Sequence, residues 1–333
     1  MRLTVLSGGI GGARFLSGLL DALPGEPGNH TITVIGNTAD DIWMFGLKIC
    51  PDLDTVMYTL GNGIDRERGW GRQRETWNAK SELAAYGVEP TWFGLGDRDL
   101  ATHIVRSQML GAGYSLSEVT AALCARWQPG VTLLPMSDDR VETHVVIDAD
   151  PADPEAQHGR KAVHFQEYWV RLHAPAAYAV IPVGAEQSTP APGVLEAIEQ
   201  ADVVILPPSN PVVSVGTILA VPGIADAVRA TSAPVVGVSP IIGGSPVRGM
   251  ADKLLPVIGV EVTARAVGEH YGARAHGGLL DGWLVDEADA ADVPVLEQTG
   301  LRVAARPLYM SDPDATRTLA RDTLALALPE HVA

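Results

Sequence analysis

Near the start of the chain, a glycine loop and two acidic clusters supply the parts of a phosphate-handling site. Ser7-Gly8-Gly9-Ile10-Gly11-Gly12-Ala13-Arg14 gathers four glycines and an arginine, Asn37-Thr38-Ala39-Asp40-Asp41 holds two adjacent acids, and Cys50-Pro51-Asp52-Leu53-Asp54-Thr55 holds two more. Glycine backbone approaches a phosphate closely, and a helix start adds free N–H groups and a positive dipole end. Carboxylates on neighbouring loops suit magnesium, which takes one or two of them and completes its shell with water and phosphate oxygens. No Lys-Ser/Thr pair follows the glycines, so the loop is not a P-loop. Read from Gly9, the loop puts Arg14 where a dinucleotide fingerprint needs its third glycine, and Asn37 stands where a ribose-binding acid belongs. These departures favour phosphoryl transfer over hydride transfer. A nicotinamide or flavin oxidoreductase and a non-catalytic nucleotide-binding module remain as alternatives. Each acidic pair also sits where a helix cap belongs, so a purely structural use of one member stays open.

Further candidates lie downstream. Ile64-Asp65-Arg66-Glu67-Arg68-Gly69-Trp70-Gly71-Arg72 mixes arginines with an aromatic residue between glycines. Arg66 and Trp70 could meet a phosphate or stack on a flat heterocycle, or the segment is a solvated charged face. Leu95-Gly96-Asp97-Arg98-Asp99 reads as a helix start, and Ala101-Thr102-His103 continues it so that His103 and Arg106 share one face. Pro208-Ser209-Asn210-Pro211 and Val238-Ser239-Pro240-Ile241-Ile242-Gly243 each follow an apolar run. Their backbone and polar groups could read a base or a phosphate, or they are plain turns. Met136-Ser137-Asp138-Asp139 and His164-Phe165-Gln166 recur in the resemblance below, and His144 reads as a structural strand residue.

The elements that must position these residues are short apolar runs ending in glycine, proline or small polar residues: Leu3–Leu6, Thr31–Gly36, Val131–Met136, Tyr178–Pro182, Asp202–Pro207 and Pro234–Ser239. Near-continuous apolar strands are buried on both faces, which implies a parallel sheet. Helical patterns at Val194–Gln200 and Gly216–Ala230 separate some of them, giving an α/β, Rossmann-like, doubly wound fold. One catalytic unit is expected over residues 1–333. Residues 1–59 and 126–333 form its nucleotide-binding core, and a mostly helical insertion at 60–125 covers the site. A β excursion at about 140–175 pairs Val141–Asp148 with Val163–Val170 across a polar link, Pro151-Ala152-Asp153-Pro154.

Composition narrows the partners. The chain has 333 residues and a formal net charge of −16, which argues against nucleic acid and obliges an anionic ligand to be held by helix starts, a few arginines and a divalent cation. Two cysteines, Cys50 and Cys124, exclude a disulfide framework or a cysteine-rich zinc site. No apolar run reaches ~18 residues. A soluble cytoplasmic protein without a membrane partner is expected.

With these motifs in this order, nearly the whole chain resembles the 2-phospho-L-lactate transferase family of coenzyme F-420 biosynthesis, and looks most like its actinobacterial phosphoenolpyruvate transferase branch. Position 50 is Cys where the family has Ser, and Gly94 stands where the family has lysine. The resemblance implies transfer of a phosphoenolpyruvyl or 2-phospholactyl group from a guanosine-diphosphate-linked donor to the ribityl hydroxyl of the deazaflavin Fo, with release of GMP. It also implies magnesium and a homodimer, and it places Fo near Asp54 and the 92–98 segment, hence near Thr55, Gly94 and Arg98. Gly8, Gly9, Gly11, Gly12 and Arg14, with Ser209, Asn210, Ser239 and Gly243, are then the expected holders of the guanosine diphosphate portion, and Asn37 is a further expected substrate-binding residue. Asp40, Asp41 and Asp54 are the expected magnesium ligands, with Asp54 or Asp41 also the candidate base.

Overall fold

The structure, a computed structural model, describes residues 1–23, 30–150 and 152–328. Pro151, in the expected polar link, lies outside the described residues. Seven parallel strands form the central sheet in the spatial order Arg302–Ala305, Gly282–Val285, Val235–Val238, Val203–Leu206, Arg2–Ser7, Thr31–Gly36 and Thr132–Pro135. The interior strands are buried along nearly their whole length. That burial explains their unbroken runs of valine, isoleucine and leucine, because both sheet faces are covered by helices. One apolar cluster includes Leu6, Val204, Val235 and Trp283, and the other includes Val5, Phe15, Leu16, Val34 and Ile205.

From Arg2–Ser7 the chain builds outward through Thr31–Gly36 and Thr132–Pro135, then returns to lay Val203–Leu206 on the opposite side. The order therefore reverses between Arg2–Ser7 and Val203–Leu206. At such a reversal the loops leaving the two strands part in opposite directions and open a crevice at the carboxyl edge. Those connections are the turn at Gly8, which runs straight into the helix that begins at Gly9, and Pro207–Pro211.

The excursion is larger than the sequence suggested. Arg160–His164, Glu142–Asp148 and Ala177–Val183 form a three-stranded antiparallel sheet in that order. The Tyr178–Pro182 run is therefore not a central parallel strand: it lies on this sheet's edge, and Tyr178, Ile181 and Val183 are exposed. Val163–Val170 is not one strand either, since Glu167–Arg171 turns into a π-helix that re-aims its side chains. The pattern at Gly216–Ala230 divides into helices Val215–Ala220 and Ile224–Ala230, because Pro222 and Gly223 interrupt it. In the insertion, helices Asn78–Ala85, Asp97–Gly111 and Leu116–Trp127 follow an irregular stretch. Asp97 accepts from Thr76 Oγ1 and from the Asn78 and Ala79 amides, while Glu75 accepts from the Arg98 and Asp99 amides. The first helix start is thus capped by Asp97, the first residue of the second helix, and the second by Glu75, from the segment that leads into the first.

Candidate functional site

Two loops meet over the crevice. The Ser209 hydroxyl donates to the Gly8 carbonyl at 2.8 Å and accepts from the Gly8 amide at 3.3 Å. Helix Gly9–Ala22 begins directly after, with Gly9 at φ +66°, where an L side chain is strained. A Cβ on Gly11 would come within 2.5 Å of the Pro208 carbonyl oxygen. A side chain there would push the two loops apart, so Gly11 serves loop approach as much as any ligand. Gly12 is buried between Ser7 and Ser209 in the same way.

Helix Pro51–Leu60 packs on helix Gly9–Ala22 with Asp52 and Asp54 in its first turn. Two residues along a helix are about 200° apart, so the two carboxylates face different ways. Asp52 faces the glycine loop. It accepts from Asn37 Nδ2 at 2.9 Å, and Asn37 is itself fixed by the Thr217 hydroxyl at 2.8 Å and by its bond to the Val213 carbonyl at 3.1 Å. Asp54 faces away, toward the insertion. Arg106 grips both its oxygens, and His103 Nδ1 stands 3.8 Å from Oδ2. His103 also approaches Asp99, which accepts from the Tyr58 hydroxyl at 2.6 Å. Arg106 and Asp54 are both buried, so this ion pair clamps the insertion onto the core.

The Asn37–Asp41 loop is held from outside by the excursion. The Thr143 amide donates to the Ala39 carbonyl at 2.6 Å, His164 Nε2 meets the Asp41 carbonyl at 3.1 Å, and Gln166 Nε2 donates to the Asp40 carbonyl at 3.3 Å. Asp41 turns inward to Lys48 Nζ at 3.3 Å and is wholly buried. Asp40 turns to the crevice with Oδ1 buried and unpartnered. Burial raises the Asp40 carboxyl well above the usual range, and the negative charges of Asp52 and Asp41 raise it further. Burial likewise pushes Asp52 up to about 6, against the opposing bonds from Asn37 and the Gly9 amide.

These groups border a cavity of about 820 Å³, the size of a ligand site. Gly8, Gly9, Gly11, Arg14, Asp40, Thr55, Trp70, Gly94, Ser209, Asn210 and Ser239 line it, as the sequence reading required of a shared site. Other expected residues fall elsewhere. Asp54 is held by Arg106 and Asp41 by Lys48, and neither is among the residues that line the cavity. Arg66 and Arg98 are solvent-exposed away from it, because the turn at 65–71 presents Arg68 instead and the Arg98 backbone is tied to Arg72 and Glu75. Gly243 binds Asp289 through its amide, and Gly12 and Asn37 stand behind the lining. Among the described residues no group of three or more His, Cys, Asp or Glu could hold a metal. Of the expected trio Asp40, Asp41 and Asp54, only Asp40 borders the cavity, and Asp52 borders it beside Asp40.

Trp70 is 46% exposed. Arg68 lies 5.3 Å from its ring and 5.5 Å from that of Trp77, and pairs with Asp65 at 2.9 Å. Residues that the sequence reading did not single out also line the cavity: Asp52 as distinct from Asp54, Arg68, Gln166, Trp169, Arg248 and Tyr309.

The family model for "2-phospho-L-lactate transferase CofD" matches residues 3–318. The chain belongs to the 2-phospho-L-lactate transferase family. Membership makes it a transferase of coenzyme F-420 biosynthesis. Phosphoenolpyruvate transferases of Streptomyces avermitilis and Streptomyces griseus are 67% and 65% identical to it, each over 98% of both chains. That of Mycolicibacterium smegmatis is 61% identical over 98% of this chain and 99% of its own. In fold, the chain is similar to a solved UPF0052-family protein from Bacillus halodurans, with a TM-score of 0.63 and 18% identity over 97% of this chain and 100% of that one. Among the described residues no helix is long and apolar enough to cross a membrane.

Proposed function

We propose that this transferase moves a phosphoenolpyruvyl group from a guanosine-diphosphate-linked donor to the terminal ribityl hydroxyl of the deazaflavin Fo. One observation carries the reading. Two buried carboxylates, Asp40 and Asp52, meet the cavity beside the glycine loop, and among the described residues neither has a cationic partner. An anionic donor enters beside them only with a cation to reverse the local sign. The name shared by the relatives supports the phosphoenolpyruvyl group over 2-phospholactyl.

The carboxylate pair fits magnesium: two hard donors, one of them with a buried oxygen, Asp40 Oδ1, that accepts no hydrogen bond, open to a space where phosphate oxygens and water complete the shell. Bound there, magnesium would neutralise phosphate charge that grows as the P–O bond to GMP breaks. The chain's own residues do the rest. Backbone N–H groups of the glycine loop, with Ser209 and Asn210, hold the diphosphate. Asn37 fixes the Asp52 carboxylate. The Fo hydroxyl oxygen bonds to the phosphorus that carries the phosphoenolpyruvyl group, the bond from that phosphorus to the GMP oxygen breaks, and the hydroxyl proton leaves to an acceptor in the cavity. The test is GMP release that requires both Fo and donor: release without Fo contradicts the proposal. As in the rest of the family reading, the working form is proposed to be a homodimer.

Two results follow in this site. Both carboxyl pKa values are raised on folding, so without metal their contribution favours the fold at low pH and is lost as pH rises from the unfolded value, about 3.9, through about 6 for Asp52. Magnesium competes with these protons. The rise in melting temperature on adding it should therefore be larger at about pH 8 than at about pH 5, and should shrink in Asp52→Asn. Equal rises at both pH values would separate the metal from these groups. EDTA is expected to stop turnover and magnesium to restore it.

Trp70, half exposed at the cavity wall, is placed to stack on the flat deazaflavin. Trp70→Ala should weaken Fo binding about tenfold by fluorescence titration. Unchanged binding would leave Trp70 as a cover for Arg68 and Trp77 alone.

A further inference from the structure

Three cationic side chains line the cavity: Arg14, Arg68 and Arg248. Arg68 is committed to Asp65 and to the rings of Trp70 and Trp77. Arg14 and Arg248 differ. Among the described residues neither has a carboxylate partner, and Arg14 spends one Nη1 donor on the Met310 carbonyl at 3.2 Å. Arg248 reaches from the loop after the Ile241–Pro246 hairpin to the 64–72 segment, where its Nη1 lies 2.5 Å from the place a Cβ on Gly69 would occupy. The same Cβ position lies 3.3 Å from Ile10, one helical turn before Arg14, so Arg248 stands at the end of the cavity that Arg14 lines. The two charges feel each other: burial lowers the Arg14 pKa, and the positive charge of Arg248 lowers it further. In a chain of formal net charge −16, two like charges that line one cavity, neither with a carboxylate partner among the described residues, are a place for an anion.

We propose that Arg14 and Arg248 form an oxyanion subsite that holds the carboxylate of the donor's phosphoenolpyruvyl group. This assignment rests on the function proposed above. The donor carries two phosphates and one carboxylate. The phosphates are served by the glycine-loop amides and by a cation at Asp40 and Asp52. A substrate carboxylate beside those aspartates would be repelled, whereas Arg14 and Arg248, neither paired with a carboxylate among the described residues, can donate N–H bonds to its planar group.

The experiment compares wild type, Arg248→Ala and Arg248→Lys in magnesium. KM for the guanylylated phosphoenolpyruvate donor is measured alongside the dissociation constant of GDP, which lacks the carboxylate. Arg248 is exposed on a loop, so the variants fold. Arg248→Ala should raise the donor KM about 10- to 100-fold while GDP binding stays within about twofold, and Arg248→Lys should recover part of the loss. A matching loss of GDP affinity would move the arginines onto the phosphates and overturn the assignment. So would an unchanged donor KM in a wild type that turns over. A wild type that consumes no donor refutes the function itself, and the subsite with it.

Discussion

Asp52→Asn is expected to give a folded protein whose turnover falls at least about a hundredfold. The substitution keeps the shape of the side chain and an oxygen able to accept from Asn37 Nδ2. It removes a buried charge that has no cationic partner among the described residues, so stability near neutral pH should hold or rise. On the proposed function, what it removes from the reaction is a ligand for the cation that lets phosphate oxygens sit beside Asp40. Losing one oriented, charge-stabilising group of this kind costs on the order of 3 kcal/mol, or roughly a hundredfold in rate. A circular-dichroism melt and a GMP-release assay on one preparation decide the matter. Wild-type turnover in Asp52→Asn would show that this carboxylate is not part of the chemistry.

Asp54→Asn should behave in the opposite way, with stability as the first casualty. Its carboxylate neutralises buried Arg106, and neutralising the acid alone strands that guanidinium charge in the interior. Breaking one side of a buried ion pair costs about 3–5 kcal/mol, a large part of the roughly 5–15 kcal/mol that holds a domain folded. The urea midpoint should drop sharply. Because the loss comes from the orphaned partner, the double change Asp54→Leu, Arg106→Met should be less destabilising than the sum of its single changes. Additive losses, or an Asp54→Asn protein as stable as wild type, would mean the pair does not fasten the insertion.

The contrast between these two aspartates marks where sequence reading stops. Pro51-Asp52-Leu53-Asp54 announces a helix start with two acids, and helix geometry requires them to point apart. Which one meets the ligand depends on Arg106, 52 residues away on a different helix. A signal existed, since His103 and Arg106 share a helical face that needs an acid. The same limit separates Arg68 from Arg66, because turn geometry alone picks the arginine that enters the cavity. The glycine loop and the Ser209–Asn210 and Ser239 loops were legible for a topological reason: each follows a parallel strand, and every such loop emerges at the same sheet edge. Among the strands, the buried valine and isoleucine runs were readable. Gly282–Val285 and Arg302–Ala305 passed unread because four residues carry little pattern. Tyr178–Pro182 was misplaced because an apolar, β-branched run does not reveal which sheet it joins.

The central claim is that the cavity transfers a phosphoenolpyruvyl group to Fo. The most direct measurement gives the wild-type protein Fo, magnesium and equal amounts of the phosphoenolpyruvyl and 2-phospholactyl guanylyl donors, then reads the product by mass spectrometry. The account predicts an Fo adduct carrying the phosphoenolpyruvyl group, two hydrogens lighter than its 2-phospholactyl counterpart, formed in step with GMP. Recovery of Fo unmodified with both donors intact, or of the 2-phospholactyl adduct as the main product, would contradict it.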